Sequence, residues 1–499
     1  MIFNKLIKIV ANIAKYKVAQ WSTNPIKTQQ KQFNYLMKIG SKTLFGREHN
    51  LFQGITYNEF KKRVPIRDYE QIKHYIEKVK NGEDNILWKG KPIYFAMTSG
   101  TTSGSKYIPI TKHSLKNHLN GAKNAILLYI AETNNTSFID GKFIFIQGSP
   151  ILSLLSSIPV GRLSGISAHH VPFYMKYKML PSWETNIIDD WEKKIDSIIK
   201  ETSNKNMTII SGIPSWVQIY FEKISKKYNK KLLEIFPNFK LLIYGGVNFK
   251  PYRQKFKNLI GGDVDSIELF PASEGFYAFQ SNQSSEDLLL ILNAGIFYEF
   301  ISVQDYKSNN FNRINLSEVK IGENYLMVIS TSAGLWGYNT GDTVRFTSIN
   351  PYKVVVTGRI KQQLSAFGEH VIVEEVEKAM EAAVLKTKNI INEFTVAPLF
   401  KSSVNKNSGH EWFIEFEVTP KKLNEFAKIL DQELIRQNKY YKDLIFGNII
   451  QPAIITPVIK NGFKLYMQSI GKYGGQNKIP KISNDRKIAD KIKNLNLIA

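Results

Sequence analysis

The sequence predicts an α/β protein organised around a large sheet and divided into two parts, and three features of its 499 residues predict it. Short β-rich runs alternate with helical segments between residues 93 and 270, the rhythm of a sheet layered with helices. Glycine-punctuated strands crowd residues 288–356, which predicts an antiparallel sheet or small β-barrel-like subdomain after the α/β portion. A second mixed α+β segment follows Gly358-Arg359, so the chain is expected to divide into a large domain, 1–359, and a smaller one, 360–499.

Up to about residue 80 the pattern is helical, with apolar residues at three- and four-residue spacing over 29–45 and 57–64. The first twenty residues are apolar but interrupted by Lys5, Lys8, Lys15 and Lys17, as in an amphipathic helix that docks on the protein's own body or on a membrane surface. They lack the unbroken apolar core of a signal peptide or spanning helix. The apolar stretch 143–160 is broken by Gln147, Pro150, Ser153, Ser156, Ser157 and Pro159 and reads as buried strand and loop. A soluble protein without stable membrane insertion is expected. Strands are predicted over 93–97, 142–147, 207–210, 240–244 and 266–270, then over 295–303, 324–331, 343–347 and 353–357. Beyond Arg359 come a helix over 374–384, a strand over 411–418, a helix over 423–437 and a polar C-terminal stretch.

Lysine and arginine number 67 against 43 acidic residues, a net charge of +24. Gathered on one face, such a balance attracts nucleic acid or an anionic membrane. Here it is mostly lysine spread along the whole length, without the arginine and aromatic interleaving of a base-stacking groove. Nucleic acid is therefore not an expected partner, and the excess reads as a solubilising surface and an attraction for anionic substrates. The absence of cysteine excludes disulfides, thiolate ligands and a thioester on the chain's own side chains, and fits a reducing, cytoplasmic compartment. His169 and His170 are adjacent, would face opposite ways on a strand, and have no third ligand at zinc-like spacing. Neither a Gly-x-Ser-x-Gly elbow nor a Gly-x-Gly-x-x-Gly fingerprint occurs, which argues against hydrolase and dinucleotide readings.

The most informative segment is Thr98-Ser99-Gly100-Thr101-Thr102-Ser103-Gly104-Ser105-Lys106, entered and left by strand-like runs. Glycines let the backbone turn its N–H groups toward an anion, hydroxyls add donors, and Lys106 adds charge, so the composition is that of a phosphate-holding loop. It is not the P-loop signature, because the Gly–Lys spacing differs and no Ser or Thr follows the lysine. A flexible Ser/Gly linker is the plainer reading, yet linkers are rarely flanked on both sides by buried-type strands.

Four further segments matter in combination. Ser273-Glu274 closes a predicted strand with a carboxylate that can hold magnesium beside phosphates, or simply ends a strand. Asp342 follows the glycine turn at Gly341, where it can accept two ribose hydroxyls or cap a turn. Gly358-Arg359-Ile360-Lys361 sits at the expected boundary, and Lys478 stands on a glycine-flanked loop near the end of the chain.

In this order the landmarks resemble those of the acyl-adenylate-forming superfamily of acyl-CoA synthetases, luciferases and peptide-synthetase adenylation domains. Asn24-Pro25, Gln29, Gln30 and Phe33, Thr43-Leu44-Phe45-Gly46, His49 and Lys106-Tyr107-Ile108-Pro109 narrow the resemblance to the auxin-responsive acyl acid amido synthetases, the Gretchen-Hagen family, and their bacterial relatives. The resemblance runs from Trp21 to Arg486. It implies the acyl-adenylate-forming fold, with a mobile C-terminal domain carrying a catalytic lysine, and ATP and Mg²⁺ as cofactors. It assigns Thr98, Ser99, Gly100, Thr101, Thr102, Ser103, Gly104 and Lys106 to the phosphate loop, and Gly245, Gly246 and Val247 to the turn against adenine. Ser273 and Glu274 then lie near the α-phosphate and the metal, Asp342 binds the ribose, Arg359 is the basic hinge residue, and Lys478 is the catalytic lysine. The hinge Gly358-Arg359-Ile360-Lys361 looks more like the wider superfamily than like the plant members, so a bacterial substrate other than a plant hormone is expected.

The implied reaction activates a carboxylic acid as its adenylate and passes the acyl group to an amine, an amino acid being expected. Thioester formation on coenzyme A or a carrier protein is the alternative and shares the first step. Trp216 and Tyr220, four apart on one helix face, suit an aromatic acyl pocket or a plain core stripe. A monomer acting on small molecules is expected.

Overall fold

The computed structural model describes residues 2–99, 105–246, 249, 252–360, 363–364, 366–367, 369, 371–400, 408–474 and 477–499. They fall into two compact units, the first made of 1–220, 233–246 and 264–355, the second of 221–232, 247–263 and 356–499.

Six helices open the chain or follow its first hairpin: α1 (Ile2–Ser22), α2 (Pro25–Gly40), α3 (Leu44–Glu48), α4 (Tyr57–Arg63), α5 (Tyr69–Lys80) and α6 (Lys112–Thr133). The strands of the first unit are β1 (Tyr94–Ser99), β2 (Ser105–Ile110), β3 (Lys142–Ile146), β4 (Ser153–Leu155), β5 (Ile158–Gly161), β6 (Met179–Leu180), β7 (Met207–Gly212), β8 (Leu241–Gly245) and β9 (Asp265–Ala272). They continue with β10 (Gly275–Gln280), β11 (Leu288–Leu290), β12 (Ile296–Ser302), β13 (Ile314–Asn315), β14 (Asn324–Thr331), β15 (Tyr338–Ile349) and β16 (Tyr352–Arg359), the last of which runs on into the second unit from Val356.

Twelve of these strands form one sheet in the order β13-β12-β14-β15-β16-β11-β10-β9-β8-β7-β3-β6. From β9 to β6 the pairing is parallel. The runs Met-Thr-Ile-Ile in β7 and Leu-Leu-Ile-Tyr in β8 are buried throughout, as strands covered on both faces must be. At β9 the direction reverses, because a two-residue turn at Ser273-Glu274 folds β10 back antiparallel. The antiparallel strands expected over 288–356 are present, and they continue this same sheet. A separate four-stranded sheet has the order β2-β1-β5-β4.

α6 starts where Thr111 caps it, its side chain accepting from Ser114 N, and then lies across β9 and β10. The expected N-terminal helix is α1, and it packs on α6 through Ala11, Ala14 and Val18. Among the described residues no helix is long and apolar enough to cross a membrane.

In the second unit, β19 (Ile391–Leu399), β20 (Ser408–Phe416) and β21 (Ile450–Val458) form a three-stranded sheet, and β17 (Gln363–Leu364) pairs with β18 (Val371–Ile372). Helices Val373–Thr387 and Leu423–Gln437 bury Val376, Met380, Phe426 and Leu430 in one core with Phe394 and Trp412 of the sheet. The polar C-terminal stretch of the sequence holds more structure than expected: β21 and the helices Lys439–Phe446, Gly462–Ser469 and Lys487–Asn494. Pro452 and Pro457 disguise β21, and an edge strand tolerates both.

His118 of α6 is wholly enclosed, and neither ring nitrogen has a partner among the described residues. Burial pushes its pKa down from 6.5 to about 4. Between those values the unfolded chain binds the extra proton, so this contribution to stability is complete above pH 6.5 and is lost as the pH falls toward 4. Denaturant titrations of the wild type should show that acid loss, with one residue supplying a slope of up to about 1.4 kcal/mol per pH unit. His118→Gln should flatten the profile in that window, and identical profiles would exclude His118 as the source.

Candidate active site

In an open sheet with parallel strands, ligands bind outside the carboxyl ends of those strands. At that edge β8 ends in Gly245-Gly246, with Gly246 at φ +84°, a left-handed conformation that favours glycine. Gly245 pairs with Leu269 of β9, and β9 runs three residues further before the Ser273-Glu274 turn. The reversal at β9 therefore sets Glu274 beyond the end of β8.

Tyr277 of β10 is a fully enclosed phenol whose pKa is held far above the ordinary value by burial first and then by the charges of Glu274 and of Asp342 on β15. The two carboxylates, 68 residues apart in sequence, are thus both within electrostatic reach of one buried hydroxyl. Tyr277 itself keeps its proton and presents no charge of its own.

Asp342 sits at a bulge near the start of β15 that is tightly built. Gly341 has φ +77°, and its N–H donates to Asn339 Oδ1 at 2.8 Å. Asp342 N donates to Thr340 Oγ1 at 3.0 Å, and that hydroxyl donates to Met327 O at 2.9 Å. Upstream, Trp336 is buried with its Nε1–H donating to Leu87 O at 2.9 Å, and its ring stacks on Phe45 at 5.8 Å. Arg67 N and Asn339 N complete two backbone bonds across Arg67 and Gly337.

The N-terminal residues that carry the family resemblance are the walls of this assembly. Gly40 ends α2 directly against the Trp336 ring, where a Cβ would lie 2.2 Å from Cη2. Thr43 caps α3, accepting from Gly46 N at 3.0 Å, and His49 stacks on Phe45 at 4.0 Å. Gln29 is buried and bridges α2 to the sheet, donating to Leu292 O and Ile296 O and accepting from Tyr298 N. Gly40 and Phe45 thereby pack against Trp336, just ahead of β15, while Gln29 ties α2 to the sheet.

The described ends of the hydroxyl-rich segment belong to the paired strands β1 and β2. Thr98 pairs with Lys106 and Ser99 with Ser105, while Gly100, Thr101, Thr102, Ser103 and Gly104 lie outside the described residues, as does Val247. The Lys106 ammonium sits 5.6 Å from the centre of the Tyr69 ring, and Tyr107 N donates to Tyr69 Oη at 2.9 Å, which ties the hairpin to α5.

In the second unit, Arg359 is exposed at the end of β16, and Gly358 before it adopts φ +130°. Lys478 is exposed on a strap that is fastened to β19 immediately downstream. Thr395 Oγ1 donates to Pro480 O at 2.7 Å, Val396 N to Lys481 O at 3.0 Å and Ser483 N to Val396 O at 2.9 Å. The Lys481 side chain is buried between Tyr252 and Glu393, hydrogen-bonds both, and lies 4.9 Å from the centre of the Phe394 ring. Tyr252 donates to Glu393 at 3.0 Å. Sequence reasoning missed this trio, for which the one local signal is a second lysine three residues after Lys478.

Trp216 and Tyr220 are buried in the first unit. Trp216 packs on Trp191 at 4.8 Å, and the Tyr220 hydroxyl bonds Thr202 Oγ1 at 2.8 Å. His169 and His170 follow the short helix Leu163–Ala168, with separate partners in Pro150 O and the Tyr94 hydroxyl.

This architecture, a large mixed sheet with a switch-point edge and a small α+β unit, is the fold of the adenylate-forming ligases. The chain superposes on the GH3.15 acyl acid amido synthetase with a TM-score of 0.81 at 16% identity, covering 99% of this chain and 96% of that one. On 2-hydroxyisobutyryl-CoA ligase, solved in the postadenylation state in complex with R3-HIB-AMP, the TM-score is 0.59 at 13% identity, covering 94% and 90%. The chain belongs to the GH3 family: the family's N-terminal domain matches residues 14–149 and 152–264, its central domain 289–359 and its C-terminal domain 374–487. Among its relatives are indole-3-acetic acid-amido synthetase GH3.15 of Arabidopsis thaliana, 24% identical over 65% of this chain and 67% of that protein, and jasmonoyl-L-amino acid synthetase JAR4 of Nicotiana attenuata, 21% identical over 75% and 77%.

Gly40→Ala tests the packing of the N-terminal residues against Trp336. The added methyl has to displace the Trp336 ring, and overpacking of this kind costs about 1–3 kcal/mol. The denaturation midpoint should fall and tryptophan emission should change; an unchanged midpoint and spectrum would show that the ring is not held there.

Proposed function

We propose that this protein adenylates a carboxylic acid with ATP and transfers the acyl group to the amine of an amino acid, releasing pyrophosphate and AMP. The observation that carries the reading is the run of three GH3 family domains, matched in order from residue 14 to residue 487. The names of the relatives supply the reaction class, and the turn that sets Glu274 beyond the end of β8, with Asp342 in electrostatic reach of the same Tyr277 hydroxyl, supports a nucleotide at that edge.

The chemistry of the first step is electrostatic. A carboxylate attacking the α-phosphorus meets an anionic group, so negative charge must be neutralised on the attacked phosphoryl and on the departing pyrophosphate. Lys106 and the hydroxyls of the 98–103 segment are assigned to the phosphates, Asp342 to the ribose hydroxyls and Gly245-Gly246 to the adenine face. No group on the chain has to take a proton, and orientation supplies the rest.

Mg²⁺ fits the donor set. Among the described residues no cluster of three or more acidic or histidine side chains forms a cage, and Mg²⁺ commonly takes one or two carboxylates together with substrate phosphates. Glu274 is the residue we assign to it, where the ion supplies charge neutralisation to the phosphates. Lys478 is assigned as the cation that acts in adenylation, and Arg359 as the basic residue of the hinge.

Lys478→Ala should lower ATP–pyrophosphate exchange by ~10²–10³-fold, the usual cost of losing a transition-state charge donor, with ATP affinity nearly unchanged. Exchange at the wild-type rate would reject the assignment. Incubation with ATP, a panel of carboxylic acids and either amino acids or coenzyme A, read by product mass, should yield the amide; a thioester as sole product would overturn the second half-reaction.

A further inference from the structure

α1 carries two apolar faces, and the fold uses one of them. Ala11, Ala14, Val18 and Trp21 are buried, and the helix packs on α6 and α2. About a third of a turn round the helix from that face, Leu6, Ile9, Val10, Ile13 and Tyr16 form a stripe at helical spacing, each between 45% and 67% exposed. Single exposed apolar residues are ordinary on a protein surface, but a contiguous row of five along one helix is an interaction surface.

The charge around that stripe says what covers it. α1 contains Lys5, Lys8, Lys15 and Lys17 and no acidic residue; the first acid in the whole chain is Glu48. The two helices against which α1 packs continue the bias: α2 has none, and α6 has none before Glu132. Lys27, Lys31, Lys116 and Lys123 on them are exposed. A second copy of the chain set face to face on this stripe would bring lysine against lysine, with no carboxylate on α1 to answer it. A surface that is apolar just below and anionic at its boundary satisfies both the stripe and its lysines, and an amphipathic helix lying in the headgroup plane of a bilayer is that arrangement.

We propose that α1 is a peripheral docking element for an anionic lipid surface, with Leu6, Ile9, Val10, Ile13 and Tyr16 entering the boundary between headgroups and acyl chains while Lys5, Lys15 and Lys17 meet the headgroup phosphates. The contact is parallel to the surface and needs no spanning segment. It is independent of the reaction assigned above.

The full chain should co-sediment with vesicles of phosphatidylglycerol and phosphatidylcholine in equal parts at low salt, and not with phosphatidylcholine alone. Ile9→Asp with Ile13→Asp, which leaves the face against α6 untouched, should weaken that partition at least ~10-fold, as expected for charges placed in an apolar boundary. Lys5→Ser, Lys15→Ser and Lys17→Ser together should weaken it and reduce its dependence on salt. Thermal unfolding of each variant at the wild-type temperature shows that the body is intact. Absence of sedimentation with the anionic vesicles would overturn the proposal. So would sedimentation unaffected by either set of substitutions, or a lipid-free dimer of the wild type that the Ile9→Asp, Ile13→Asp variant abolishes.

Discussion

The reversal of chain direction at β9 is the constraint on which the site depends. β9 is parallel to β8 on one side and antiparallel to β10 on the other, so one strand joins the two halves of the sheet. A parallel half delivers the ends of β7 and β8 to the same edge, and an antiparallel hairpin delivers its turn there as well. Ser273 and Glu274 occupy that turn because only two residues separate the strands. With β9 as the seam, the end of β8 and the Ser273-Glu274 turn are brought to one edge without a long excursion of the chain.

Rigidity behind the edge is bought with aromatic packing and with glycine. Trp336 is the hub: Gly40 gives it room, Phe45 stacks on it, Trp88 lies 6.0 Å from it, and Leu87 accepts its N–H. Residues that mark the family in the first fifty positions, Phe45 and Thr43 among them, are part of this packing, which gives the most recognisable stretch of the N-terminus a structural task. In the second unit a buried cation has the corresponding task, since Lys481, Tyr252 and Glu393 fasten the strap three residues beyond Lys478.

Local pattern carried much of this in the sequence. β14 is observed as Asn324–Thr331 and the later helix as Leu423–Gln437, the bounds read from apolar spacing, because each is long, regular and free of proline. The hydroxyl-rich segment was legible because buried-type strands flank it, and those strands are β1 and β2. Pairings across distance were not legible. Nothing near residue 252 announces Glu393 or Lys481, and nothing near Tyr277 announces that Asp342, far along the chain, lies within its electrostatic reach. The assignment of 221–232 and 247–263 to the second unit is equally hidden, since their helical periodicity records that they bury a face and not which core receives it. Trp216 and Tyr220 show the same limit, as a stripe at four-residue spacing looks alike whether it lines a pocket or fills an interior.

An open sheet of twelve strands has two free borders, and every open border offers unpaired backbone donors and acceptors to a neighbouring molecule. Here the borders are β13 and β6, and each is only two residues long. So short a ladder gives a stray strand almost nothing to hold. The widest element of the protein is thereby kept from templating fibres, and concentrated solutions gain colloidal safety from the two smallest strands in the sheet.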